Sequence, residues 1–280
     1  MIDNTASTAE VGGLVIITGN GPEHRYVANR IIEQHPVRAI LVCDPAPRRS
    51  WRRILRRAPL QFLDKALWRL FLKCVGDASA RDKALLEVFG PVSTSFNLDR
   101  VIPAGRARSG ILEQTVRELA PDVLAIYGTS LIPDSVLTLP RKIALNMHTG
   151  ISPRYRGTGC AFWPIHNCEP DWVGATVHEC TAAVDGGRIF ATRRATLYRN
   201  DSLHHIFARA VLAGADTYAG VLEKVMKAQN PLGQPQTLQD GREYRGNERG
   251  LRSELVARRN LRRLHRNWPK ARLAAPTPRP

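Results

Sequence analysis

Asn146 and His148 stand two residues apart at the end of an apolar run, directly before Gly150-Ile151-Ser152-Pro153-Arg154-Tyr155-Arg156-Gly157, a stretch rich in glycine and proline. In an extended strand, residues i and i+2 point to the same side. A carboxamide and an imidazole therefore converge on one small volume, while Met147 turns the other way into packing. A neutral donor beside a group that can carry a proton suits stabilisation of negative charge on a carbonyl oxygen during acyl transfer. In isolation each residue has a plainer reading: Asn146 as a turn cap, His148 as an interior histidine, and Asp185, ahead of Gly186 and Gly187, as a turn former.

The elements that would position these residues follow from periodicity. An apolar run over 11–18 ends in Gly19-Asn20-Gly21 and reads as a buried strand entering a turn. Pro22 opens a helix through about residue 34, and a second strand follows over 37–43. This β-turn-α-β order argues for an α/β fold with a parallel, doubly wound sheet. Strands are expected over 100–103, 122–127, 143–146, 173–180 and 188–196, and helices over 109–119, 133–137 and 202–226. Residues 47–89 interrupt this rhythm with one or two amphipathic helices, read as packed on their own domain with Arg48, Arg49, Arg52, Arg53, Arg56 and Arg57 outward. After residue 228 the composition shifts to a loop rich in Gln, Gly and Pro with room for one strand. A basic helix over 249–266 and a disordered proline-rich tail complete the reading.

The chain has 280 residues, long enough for a full core and a short appendage. The division expected is a lead over 1–10, a catalytic domain over 11–228 and a basic extension over 229–280. Residues 1–7 lack the basic and apolar regions of a signal peptide, so the expected location is the cytoplasm. Five scattered cysteines without a C-x-x-C pair argue against a disulfide framework or a zinc site, and no metal is expected. The formal net charge of +16 comes from 41 Lys+Arg against 25 Asp+Glu, a field that attracts nucleotides, folate glutamates, RNA or an anionic membrane face.

Four linked motifs give the chain a resemblance to the folate-dependent formyltransferases. Asn146-Met147-His148 is similar to that family's Asn-x-His, and Pro153 to Gly157 to its Pro-x-Tyr-Arg-Gly loop. Gly174-Ala175-Thr176-Val177-His178 is similar to Gly-x-Thr-Val-His, and Val184-Asp185-Gly186-Gly187 to the Asp-x-Gly turn bearing the family's catalytic aspartate. Gly150-Ile151-Ser152 departs from the Ser-Leu-Leu that often precedes the loop proline. The resemblance implies a Rossmann-like, mostly parallel sheet and 10-formyltetrahydrofolate as formyl donor. It implies Asn146, His148 and Asp185 as the catalytic set: Asn146 and protonated His148 holding the oxyanion, and Asp185, through a water, raising the pKa of His148 and relaying protons. Donor contacts are implied for Ile126, Tyr127, Gly128, Thr129, Ile151, Ser152, Pro153, Ala183, Val184 and Gly186. Acceptor contacts are implied for Gly19, Asn20, Arg156, Gly157 and His178, the last as a strand histidine that supports the site.

The acceptor is narrowed by comparison within that family. The transfer-RNA enzyme carries a β-rich C-terminal domain that residues 229–280 are too few to form, and the ribonucleotide enzyme lacks a segment like 47–89. The expectation is therefore a small primary amine, in the first place a nucleotide-linked amino sugar. Glycinamide ribonucleotide, a specialised metabolite, hydrolysis of the donor, or a non-catalytic basic module on membrane or RNA stand as alternatives. No stable nucleic acid partner is expected; peripheral membrane contact through the basic helices and a homodimer are open.

Overall fold

Side chains alternate between two cores along the central strands of the computed structural model, which describes residues 12–45, 56, 58–228 and 232–267. In β1 (Leu14–Thr18), Leu14 and Ile16 enter one core while Val15 and Ile17 enter the other. The same split runs through β2 (Val37–Asp44), β4 (Val123–Tyr127) and β5 (Ile143–His148). With β3 (Val101–Arg106), β7 (Gly174–Glu179) and β8 (Ile189–Arg194) they form a seven-stranded sheet in the order β3-β2-β1-β4-β5-β7-β8. The first five strands are parallel, and β7 runs antiparallel to both its neighbours. The doubly wound, mostly parallel α/β sheet expected from the sequence is the sheet observed.

Helices α1 (Pro22–Ile32), α3 (Asp77–Phe89) and α7 (Leu203–Lys227) cover one face. Helices α4 (Gly110–Leu119) and α5 (Asp134–Leu137) cover the other, α4 through Leu112, Val116 and Leu119 on one helical stripe. Tyr218 of α7 reaches through the sheet. Its hydroxyl accepts from the Ile126 amide at 2.8 Å and donates to the Leu145 carbonyl at 2.7 Å, tying β4 to β5 just below the site.

Helix α2 (Pro59–Cys74) lies in the segment read as amphipathic helices packed on their own domain. It leans on α8 (Leu251–Asn267) through Trp68 and Phe71, which sit beneath Arg249 and Arg258. None of its residues is fully buried, and Leu60, Leu63, Leu67 and Leu70 are 44–81% exposed. The leucines face outward together with Arg69 because the aromatic side of the helix is the one that α8 covers, and Arg56 is exposed as expected. Arg48, Arg49, Arg52, Arg53 and Arg57, the lead over 1–10 and the tail over 268–280 lie outside the described residues.

Two short strands escape the sequence periodicity. β6 (Tyr155–Gly157) pairs in parallel with β9 (Arg242–Tyr244), so the segment beyond α7 returns to the loop after β5. Helix α6 (Trp163–His166) packs against α8 close by. Part of the segment expected as an appended extension thus pairs with the loop that follows His148. Among the described residues, no helix is long and apolar enough to cross a membrane.

Candidate active site

Strand β5 pairs on one side with β4 and on the other with β7, placing Asn146 opposite Ile126 and His178. Leu145 and Met147 enter the α7 core, so Asn146 and His148 share the other face. His148 is 8% exposed and wedged beside Gly150, where any Cβ would stand 2.4 Å from its Nε2. Thr176 on β7 fixes the loop that follows: its hydroxyl donates to the Gly150 carbonyl at 2.8 Å and accepts from the Ser152 amide at 3.1 Å.

Asp185 arrives from the turn between β7 and β8 and lies between two imidazoles. Its Oδ2 is 3.3 Å from His148 Nδ1, and its Oδ1 is 3.3 Å from His178 Nε2. The Gly157 amide also donates to Oδ2 at 2.7 Å. The far nitrogen of each ring is committed to a backbone carbonyl: His148 Nε2 donates to Tyr155 at 3.0 Å and His178 Nδ1 to Glu179 at 2.7 Å. Asn146 Nδ2 lies 3.2 Å from His178 Nε2, the same nitrogen that faces Asp185. Asn146, His148, Asp185 and His178 therefore form one connected cluster.

The electrostatics make this cluster ready to take up a proton. Burial alone would raise the Asp185 carboxyl, but His148, the bond and charge from His178 and the Gly157 amide outweigh it, holding Asp185 well below the usual carboxylate range. Burial pushes the His148 imidazole below its ordinary value, against the opposing pull of Asp185. Burial thus works against the imidazolium expected from the sequence, and Asp185 works for it. With Nε2–H on a carbonyl, the Nδ1 lone pair of the neutral ring faces an ionised carboxylate. A proton arriving there is held by both groups at once. The Asp185–His148 contact is also direct, where a bridging water was expected.

The other residues singled out in the sequence fall into three groups. Gly128, Thr129, Ala183, Val184 and Gly186 remain at least partly exposed along the C-terminal edge beside the cluster, as does Pro153, whereas Ile126, Tyr127, Ile151 and Ser152 are buried. The side chains of Ile126 and Tyr127 belong to the two cores, so only their backbone faces the edge. Arg156 is buried beside His148, with Nη1 donating to the Val184 carbonyl at 3.1 Å, and Gly157 holds Asp185. His178 is 2% exposed, a partner of Asn146 and Asp185 within the wall. Gly19 and Asn20 are not brought to the cluster. They end β1, two strand spacings from β5, roughly 10 Å. There the Gly21 amide is already bonded to His24 Nδ1 at 2.8 Å, and Arg25 caps the Asn20 carbonyl at 2.7 Å. Sequence reasoning missed Tyr218, which had only its place on a helix stripe to mark it, and Gln236, which donates to the carbonyls of Asp185 and Gly187 from a segment without periodicity.

Comparison with known proteins gives a consistent picture. A family model described as formyl transferase matches residues 75–222, which include Asn146, His148, His178 and Asp185. The methionyl-tRNA formyltransferase of Geobacter metallireducens is 27% identical over 126 residues, 45% of this chain but 40% of that protein, so the match spans two fifths of that relative's length. A sugar N-formyltransferase from a Shewanella species superposes with a TM-score of 0.55 at 13% identity, covering 89% of this chain and 87% of that one. The N-formyltransferase of Helicobacter canadensis, solved with folinic acid and dTDP-3-aminofucose, gives 0.57 at 13% identity, covering 90% and 81%. At such identities the structural likeness shows the fold.

Proposed function

The chain belongs to the formyl transferase family, and from that premise we propose that it moves a formyl group from 10-formyltetrahydrofolate to a primary amine, foremost one on a nucleotide-linked amino sugar. The observation that carries this reading is the Asp185 carboxylate set 3.3 Å from a nitrogen of each of His148 and His178, beside Asn146. The residues present fit a polar donor molecule. Backbone at 128–129 and 183–186 is open along the sheet edge, and Ser152 Oγ and Arg156 Nε are buried without a hydrogen-bond partner. When bound, 10-formyltetrahydrofolate supplies an activated formyl carbon.

The protein's own groups then have distinct tasks. Asn146 is partly exposed and can turn its amide N–H to the formyl oxygen as negative charge develops there; losing one such donor typically costs roughly 10²–10³ in rate. The attacking nitrogen must shed a proton. The Asp185–His148 pair takes it, because a charged His148 is satisfied at both nitrogens, by Asp185 and by the Tyr155 carbonyl. The same pair returns a proton to the departing nitrogen. His178 keeps Asn146 and Asp185 in register.

Two facts support the amino-sugar acceptor: the net charge of +16, which favours a phosphorylated substrate, and the likeness to folds of sugar N-formyltransferases. The sequence relatives favour a second reading, methionyl-tRNA, which also presents a primary amine on a polyanion. The test is a panel of amines offered with 10-formyltetrahydrofolate and read by product mass: amino-sugar nucleotides, glycinamide ribonucleotide, methionyl-tRNA and a reaction without amine. Formylation of an amino-sugar nucleotide is expected. Formylation of methionyl-tRNA alone would replace the acceptor, and formate release without any amine would make the protein a hydrolase.

A further inference from the structure

Residues 232–244 lie beyond the segment matched by the family model, yet they grip the turn that bears Asp185. Ile189 and Gln234 exchange both backbone hydrogen bonds at 2.7 Å. Two residues on, Gln236 directs its carboxamide under the turn. Its Nε2 donates to the Asp185 carbonyl at 2.9 Å and to the Gly187 carbonyl at 2.6 Å, which uses both of its hydrogens. Asp185 itself has φ of 47°, a conformation that residues other than glycine keep only where their surroundings hold it. The opposite side of the turn is held by Arg156 Nη1 on the Val184 carbonyl and by the Gly157 amide on Oδ2.

From this geometry we infer that Gln236 is a positioning residue: by bonding the two carbonyls that bracket Gly186, it fixes the Asp185 carboxylate between His148 and His178. It acts through backbone, so its removal leaves every side chain of the cluster in place chemically while freeing the turn. The groups facing His148 are Asp185 from the turn, His178 from β7, and Arg156 and the Tyr155 carbonyl from β6, with Cys160 adjoining. Asp185 is the one anion among them. A turn that swings away therefore lowers the proton affinity of His148 and weakens the pair that takes the amine's proton.

The kinetic part of this inference rests on the formyl-transfer reading; the titration part does not. The experiment is Gln236→Met, which keeps the length of the side chain and removes both donors, with Gln236→Leu as a second uncharged variant should the first fail to fold. The His148 imidazole is titrated by NMR in wild type and variant, its signal assigned by its loss in His148→Gln. The expected shift is downward by about one pH unit, the low end of the change that loss of a nearby opposite charge produces. In turnover, kcat falls roughly tenfold or more while KM for donor and amine stays put, and the acid limb of the pH profile moves to lower pH. A folded variant whose His148 titrates as in wild type, whatever its thermal stability, overturns the inference. A shifted His148 in a protein that formylates nothing upholds Gln236 as a positioning residue and overturns the formyl-transfer reading instead.

Discussion

Each imidazole of the cluster spends one nitrogen on a backbone carbonyl, and that commitment decides what the other nitrogen can do. For His148 the free nitrogen meets Asp185, so the ring is a proton acceptor with its counter-ion already in place. The same arrangement links folding to pH. Burial depresses the folded-state pKa of His148 below its unfolded value near 6.5, so the unfolded chain binds more protons in the interval between the two. Stability is therefore full above about pH 6.5 and declines as the pH falls through the folded value. Asp185, also depressed, adds a second decline that begins only below about pH 4. The expected outcome is that His148→Gln flattens the loss of thermal stability between about pH 7 and 5, measured by calorimetry. An unchanged slope would mean that His148 is not buried neutral. Asn146 and His148 stood out in the sequence by their spacing at a strand end, and Asp185 only through the resemblance of its Asp-x-Gly turn to the formyltransferases. The protonation state was not legible there, because the carbonyls that set it belong to Tyr155 and Glu179, and no spacing announces a carbonyl.

Long elements were readable and short ones were not, for a physical reason. Helix α7 and strands β1, β4 and β5 each repeat an apolar period often enough to declare themselves. Strands β6 and β9 have three residues each and exist only because two distant segments meet. Their meeting needs close backbone approach: at Gly241 a Cβ would fall 1.6 Å from the Pro153 carbonyl oxygen. Gly241→Ala is expected to push residues 241–244 off the loop after β5, costing about 1–3 kcal/mol in denaturant unfolding. Because this segment also carries Gln236, the variant should lose activity beyond what its lost stability explains. Full activity would show that the β6–β9 pair does not hold the site. Helix α2 teaches a related lesson. Its apolar spacing gave the helix, but which side would be covered depended on α8, and the exposed leucines could not be foreseen.

At the scale of the whole molecule, chain order explains where the site lies. Strand order reverses between β1 and β4, and the cluster sits one strand further on, at the C-terminal ends of β4 and β5, where open α/β sheets receive ligands. The antiparallel β7 then brings His178 opposite Asn146, and its exit turn returns Asp185. The net charge was plain from composition, but its distribution was not. Arg81 pairs with Glu23, Arg209 with Asp201, and Arg249 and Arg258 share the fully buried Glu254, so these arginines are engaged within the fold and are not part of a free basic surface. What these elements jointly build is one carboxylate between two imidazoles, and the decisive measurement is single-turnover transfer from 10-formyltetrahydrofolate to the amine by wild type and Asp185→Asn, read by product mass. Transfer by wild type, slowed roughly 10²–10⁴-fold in the folded variant, is the outcome required if the Asp185–His148 pair carries the proton. Equal rates in the two proteins would contradict it.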